Sequence, residues 1–223
     1  MLSSGMRKTL LTTILLAVVY LAQAQLTVQG DSLISLRGTR IQLSKLGFPE
    51  QIDSLLAENI HFHFTRQSDG KDIRLTGGDV HFTKRDEQEV QWNVTNTSSE
   101  LQMKVVASLH ADGHFAYTVT VTALQDLDLK DITLHIPLQP ERAKFMMGLE
   151  WRNGPAGAWI GAENGGIQYS FGPGAWINEG KGGTTVVIKG RSMLVNNYSG
   201  PMNIQKGKSL YYSFYLAATR NHK

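Results

Sequence analysis

The chain has 223 residues, 41% hydrophobic and 18% charged, with 22 glycines and 6 prolines, a composition that excludes disorder and collagen-like repeats. The lack of cysteine excludes a disulfide scaffold, a thiolate zinc site, a cysteine nucleophile and a lipid-modified N-terminal cysteine. A complete (β/α)8 catalytic barrel takes about 250 residues and does not fit.

The N-terminus carries Arg7 and Lys8, a largely apolar run from Leu10 to Leu21, and Ala22-Gln23-Ala24. This order of charged, apolar and small residues is that of a secretory signal peptide. The apolar run has 12 residues, against the roughly 20 that span a bilayer as a helix. Residues 1–24 are expected to be removed, leaving residues 25–223 as one domain in the periplasm or outside the cell. The leader contains two basic and no acidic side chains, so the formal charge falls from +3 to +1. A near-neutral domain has no electrostatic footprint for nucleic acid, and no membrane association is expected after cleavage.

From Leu26 onward the periodicity is two. Leu26–Gln29, Leu33–Leu36, Ile41–Leu43, Ile60–Phe64, Ile73–Leu75 and Val80–Phe82 read as short strands between turn residues. Pro49–Glu58 places Ile52, Leu55 and Leu56 at helical spacing, which leaves a helical turn and an irregular segment both open. Val90, Trp92 and Val94 alternate with polar residues, which assigns Trp92 to the core. Leu101, Met103, Val105, Ala107 and Leu109 share one strand face, as do Phe115, Tyr117, Val119, Val121 and Ala123. Between these runs lies Ala111-Asp112-Gly113-His114, and Asp-Gly between two alternating runs is a strong hairpin signal. Ile132, Leu134 and Ile136 continue the pattern, then Val186 and Ile188, then Leu210, Tyr212, Phe214 and Leu216. Many strands without alternating helices predict an all-β fold, a large two-sheet antiparallel sandwich of the supersandwich type.

Fourteen of the 22 glycines and three of the four tryptophans lie from Gly148 onward, which suggests shaped loops between strands. Flat aromatic rings can carry the apolar face of a sugar while amides bond its hydroxyls. Trp151, Trp159, Tyr169 and Trp176, interleaved with Asn153, Asn164, Gln168 and Asn178, are the candidate carbohydrate contacts; core packing is the competing role for such rings. Glu150, Glu163 and Glu179 could in principle supply a glycosidase acid pair, yet nothing in their spacing singles them out, and no catalytic residue is assigned. His61 and His63 lie two apart on one strand face, a spacing compatible with a shared metal. No third ligand stands near them in the sequence, so no metal or cofactor is expected. His110 and His114 bracket the Asp-Gly turn and read as turn-flanking polar residues.

Several passages resemble a known family. Residues 131–138 (DITLHIPL), 143–148 (AKFMMG), 159–169 (WIGAENGGIQY), 176–183 (WINEGKGG), 198–201 (YSGP) and 206–214 (KGKSLYYSF) occur in the same order in a recurrent bacterial domain. Together they resemble the non-catalytic β-sandwich of proteins related to glycoside hydrolase family 123, over roughly Asp72 to Thr219. The resemblance implies a sandwich that precedes a (β/α)8 barrel bearing the catalytic acidic pair. Those carboxylates have no matching positions here, since the sequence ends at Lys223 after the last predicted strand. The expectation is an accessory domain of polysaccharide utilisation, with a glycan or a hydrolase barrel as partner. A small glycosidase or sugar isomerase using Glu163 or Glu179, and a scaffold docking on a separate hydrolase, are the alternatives.

Overall fold

The structure is a computed structural model and describes residues 26–149, 157–162, 165–171, 184–189, 192–197 and 201–219. In chain order the strands are β1 (Leu26–Gln29), β2 (Leu33–Leu36), β3 (Thr39–Leu43), β4 (Pro49–Ile52), β5 (His61–Arg66), β6 (His81–Arg85), β7 (Glu89–Thr97), β8 (Leu101–His110), β9 (His114–Ala123), β10 (Leu127–Pro137), β11 (Phe145–Leu149), β12 (Gly157–Ala162), β13 (Gly165–Phe171), β14 (Thr184–Lys189), β15 (Ser192–Asn197), β16 (Met202–Ile204) and β17 (Ser209–Thr219). Among the described residues the helical content is one 3-10 turn, Pro140–Arg142, and no helix is long and apolar enough to cross a membrane.

All named pairings are antiparallel. The largest sheet has eight strands in the order β11-β12-β13-β17-β9-β8-β7-β6. A five-stranded sheet runs β14-β15-β10-β16, with β5 on the other side of β10, and β1 to β4 form a small meander. The expected all-β sandwich is thus present, with an additional small sheet at its N-terminal end, where the Leu26 amide donates to the Glu87 carbonyl at 3.4 Å.

The period-two pattern is the reason for the layering. In β7, β8 and β9 every apolar position named above is buried, while Lys104, Val106 and Thr118 face outward. The two large sheets meet through aromatic rings. Phe62 of β5 lies 5.5 Å from Tyr212 and 6.4 Å from Phe214 of β17, and Phe214 stacks on Tyr117 at 5.0 Å and Tyr169 at 5.6 Å. Fully burying one such ring contributes about 1.5–3 kcal/mol by area alone. Trp92 is wholly buried, as its alternation predicts, and its Nε1–H donates to the Gly47 carbonyl at 2.9 Å. Gly47 has a positive φ of 86°, and a Cβ there would meet Val94 Cγ2 at 3.0 Å, so only glycine lets this turn approach the core.

Two local expectations resolve differently. Pro49–Glu58 contains no helical turn: Pro49–Ile52 pairs with β3 at the edge of the small sheet, where a missing N–H is harmless, and Leu56 then bridges Leu138. Its apolar spacing reflects a strand followed by a turn, both facing the core. Ile73–Leu75 is extended but forms no ladder strand. It is tethered by isolated bridges, Asp72 to Thr65 and Thr76 to Thr97, and Ile73 is buried between them.

Candidate functional site

Strand β5 alternates Phe62 and Phe64 inward with His61 and His63 outward. Across the ladder, His135 of β10 is the register partner of His61, and Thr133 is the partner of His63. Since partners in register point to the same face, three imidazoles gather on the outer face of the five-stranded sheet. Their ring centroids are separated by 4.6, 5.2 and 5.6 Å, and one ring nitrogen from each lies within 4.8 Å of the others.

The tautomers follow from the partners. His61 Nδ1 lies 2.8 Å from the Asn59 carbonyl, which can only accept, so Nδ1 carries the proton. His63 Nδ1 donates to Asp72 Oδ2 at 2.5 Å, while Asp72 Oδ1 accepts from the Thr65 hydroxyl at 2.7 Å. Partial burial opposes ionisation of Asp72, but the bonds from Thr65 and His63 and the two histidines' charge hold its carboxyl below the usual range. With both Nδ1 atoms engaged in this way, the Nε2 atoms are the ring ends turned toward each other, 3.0 Å apart. His135 Nδ1 is buried without a hydrogen-bond partner, 4.0 Å from Glu58 Oε1. Burial, then the neighbouring His61 and His63, push the His135 pKa down, which favours a neutral ring. His61, His63 and Asp72 open onto a groove of about 1310 Å3, also lined by Arg66, Lys71, Arg74 and Glu100.

A second feature lies on the outer face of the eight-stranded sheet. Trp159 of β12 stands between Met147 of β11 and Gln168 of β13. Its indole lies across Gly161, where any Cβ would collide with the ring. The partly buried ring therefore packs against the Gly161 backbone. Around it Phe145, Met147 and Tyr215 are 52%, 57% and 38% exposed, and Gln168 Nε2 donates to the Ser170 hydroxyl at 3.4 Å.

The structure separates the aromatic candidates. Trp159 and Gln168 are on this outer face, whereas Tyr169 points inward, stacked on Phe214 in the core. Trp151, Asn153, Asn164, Trp176 and Asn178, with Glu150, Glu163 and Glu179, lie outside the described residues. His110 and His114 flank their turn, with His114 Nδ1 3.1 Å from Asp112. The residue that sequence spacing missed is His135. Its place between Leu134 and Ile136 sets its outward direction, but only strand pairing sets its neighbour.

No curated protein matches this sequence. Among solved structures, a candidate aldose 1-epimerase of Escherichia coli K12 aligns at 12% identity and a TM-score of 0.44, covering 88% of this chain and 99% of that one. A heparinase III aligns at 12% identity and 0.46, over 85% of this chain and 29% of that one. The heparan sulfate lyase HepC of Pedobacter heparinus aligns at 8% identity and 0.41, over 86% and 30%. The sequence family of the glycoside hydrolase 123 third domain matches residues 26–156 and 150–220. With nearly all of the sandwich covered, the chain belongs to that family, the non-catalytic third domain of glycoside hydrolase 123 proteins.

Proposed function

We propose that this chain is an exported accessory sandwich of a glycoside-hydrolase system in polysaccharide utilisation, and that it meets glycan through the outer face of the eight-stranded sheet. Export rests on the charged, apolar and small-residue order of residues 1–24. Membership of a non-catalytic domain family supports binding or packing as its role in place of bond cleavage. The observation that carries the glycan-facing reading is the partly exposed Trp159 indole packed over Gly161, on the same sheet face as its register partner Gln168. A flat ring offers its face to the apolar side of a sugar, and an adjacent amide can bond hydroxyls.

Because the Trp159 ring is partly buried, its removal also costs packing, so retention is compared per folded molecule. Trp159→Ala should weaken retention per folded molecule in glycan affinity electrophoresis by about tenfold. Loss of stability, with retention unchanged per folded molecule, would assign the ring to packing. Phe145 and Met147, both more than half exposed beside Trp159, favour a second reading, in which this face docks on a hydrolase barrel. That reading is favoured if no glycan is retained and the protein co-purifies with a hydrolase through these residues.

A further inference from the structure

The three-histidine cluster is made of groups the carbohydrate face does not use. Asn59 and Asp72 hold the Nδ1 atoms of His61 and His63, which leaves the two Nε2 atoms turned toward each other 3.0 Å apart. A contact of that length between two ring nitrogens is met either by a proton on one of them or by a cation that both hold. The third ring nitrogen, from His135, lies within 4.8 Å of both.

We infer that His61, His63 and His135 bind a borderline divalent cation such as Zn2+, with the fourth coordination position opening into the groove beside Asp72. Imidazole suits Zn2+, Ni2+ and Cu2+ over Mg2+ or Ca2+, which prefer oxygen. Zinc–nitrogen distances of about 2.0–2.1 Å in a tetrahedron place two ligand nitrogens about 3.3 Å apart. The His61–His63 pair is within a few tenths of an ångström of that separation, and a ring nitrogen of His135, within 4.8 Å of both, would have to move closer to supply the third corner. The surroundings match what metal-bound histidines require. His63 donates its other nitrogen to a carboxylate and His61 to a backbone carbonyl, the partners that fix tautomer and raise ligand basicity. The Asp72 carboxylate is itself held by Thr65. Adjacent paired strands set the spacing of the three side chains. Three protein nitrogens leave one position for water or for an oxygen of a molecule in the groove.

The full chain, stripped with a chelator, is titrated with Zn2+ against a chromophoric competitor, and Co2+ replaces Zn2+ as a visible-absorption probe. One Zn2+ per chain is expected, with Co2+ bands of a four-coordinate site. His135→Gln and His63→Gln should each weaken Zn2+ binding by at least about tenfold, and Asp72→Asn, which leaves all three ligands, by about 10–100-fold. His110→Ala, in a distant turn, should bind as the parent chain does. Circular dichroism verifies that each variant is folded. In the unsubstituted chain, nitrogen NMR of the imidazoles should show Zn2+ shifting the Nε2 signals of His61 and His63 while Nδ1 stays protonated. Absence of stoichiometric uptake, as for a cluster joined only by a shared proton, overturns the inference. So does Zn2+ binding that is indifferent to His135→Gln, or Nε2 signals that do not move.

Discussion

Strands β8 and β9 and strands β5 and β10 are both long antiparallel pairs, but they are assembled by different means. The first pair is joined through the Asp112-Gly113 turn, and its register runs unbroken from Leu109↔Phe115 to Leu101↔Ala123. The second is separated by the 60 residues between Arg66 and Leu127, a stretch that includes four strands of the opposite sheet. A short turn fixes register by its own geometry. The distant pair has no such device, and each doubling of the connection adds about 0.6 kcal/mol of closure entropy. Its register, which shifts once between Leu129 and Asp131, is fixed by what its inner face packs against. Phe62, beside Leu134, sits on the aromatic rings of β17, and Phe64, beside Ile132, stacks on Phe62. The same fixing brings His135 beside His61 and His63. The site therefore depends on the core beneath it.

The strongest way to break this comparison is Phe62→Ala. Phe62 touches Phe48, Phe64, Tyr212 and Phe214, so the cavity would lie where the two sheets meet. A loss of about 3–5 kcal/mol is expected in urea unfolding, with β5 amides losing hydrogen-exchange protection before those of β8 and β9. Uniform loss of protection across both pairs would mean that β5 is held by more than this face.

The same contrast explains what could be read in advance. The β7–β9 meander, the Asp-Gly turn and the burial of Trp92 depend on residues close in sequence, where alternation and turn chemistry act directly. The outward direction of His61 and His63 was legible for the same reason, from Ile60, Phe62 and Phe64. His135 was not, because period two gives a side chain's face and never its neighbouring strand. Pro49–Glu58 misled in the opposite sense: Ile52, Leu55 and Leu56 reach one core from a strand and a turn, and produce a helix-like spacing by accident. On the glycan-facing side, Trp159 and Tyr169 belong to strands with similar composition. Their separation into an outer ring and a core ring follows from β12–β13 register, Ala158↔Tyr169 against Trp159↔Gln168.

A more local perturbation tests the hairpin alone. Gly113 has a φ of 94°, and a Cβ there would meet only Leu36 Cδ2 at an ordinary 3.8 Å. Gly113→Ala is therefore strained by its backbone and not by contact. The expected cost is about 1 kcal/mol by chemical denaturation, with the positions of the His61, His63 and His135 signals unaltered. A shift in those signals would show that the hairpin helps to set the register of the distant pair.

The smallest effect sharpens the comparison at the rim of the groove. Arg66, at the end of β5, forms a bidentate ion pair with Glu100, in the turn between β7 and β8. It is a polar tie between the two large sheets. The Arg66 hydrogen bond, more than burial opposes, holds the Glu100 carboxyl below its ordinary range. A carboxyl whose pKa is lower in the folded chain contributes stability that is complete above its unfolded value, about 4.3, and is lost as pH falls through the folded value. Glu100→Gln should thus lower the urea midpoint slightly at pH 7, and the difference from the parent chain should shrink as the pH falls below about 4. A gap that persists unchanged in acid would assign the effect of Glu100 to the turn it occupies, where Ser98 receives its backbone N–H, and not to its ion pair with Arg66.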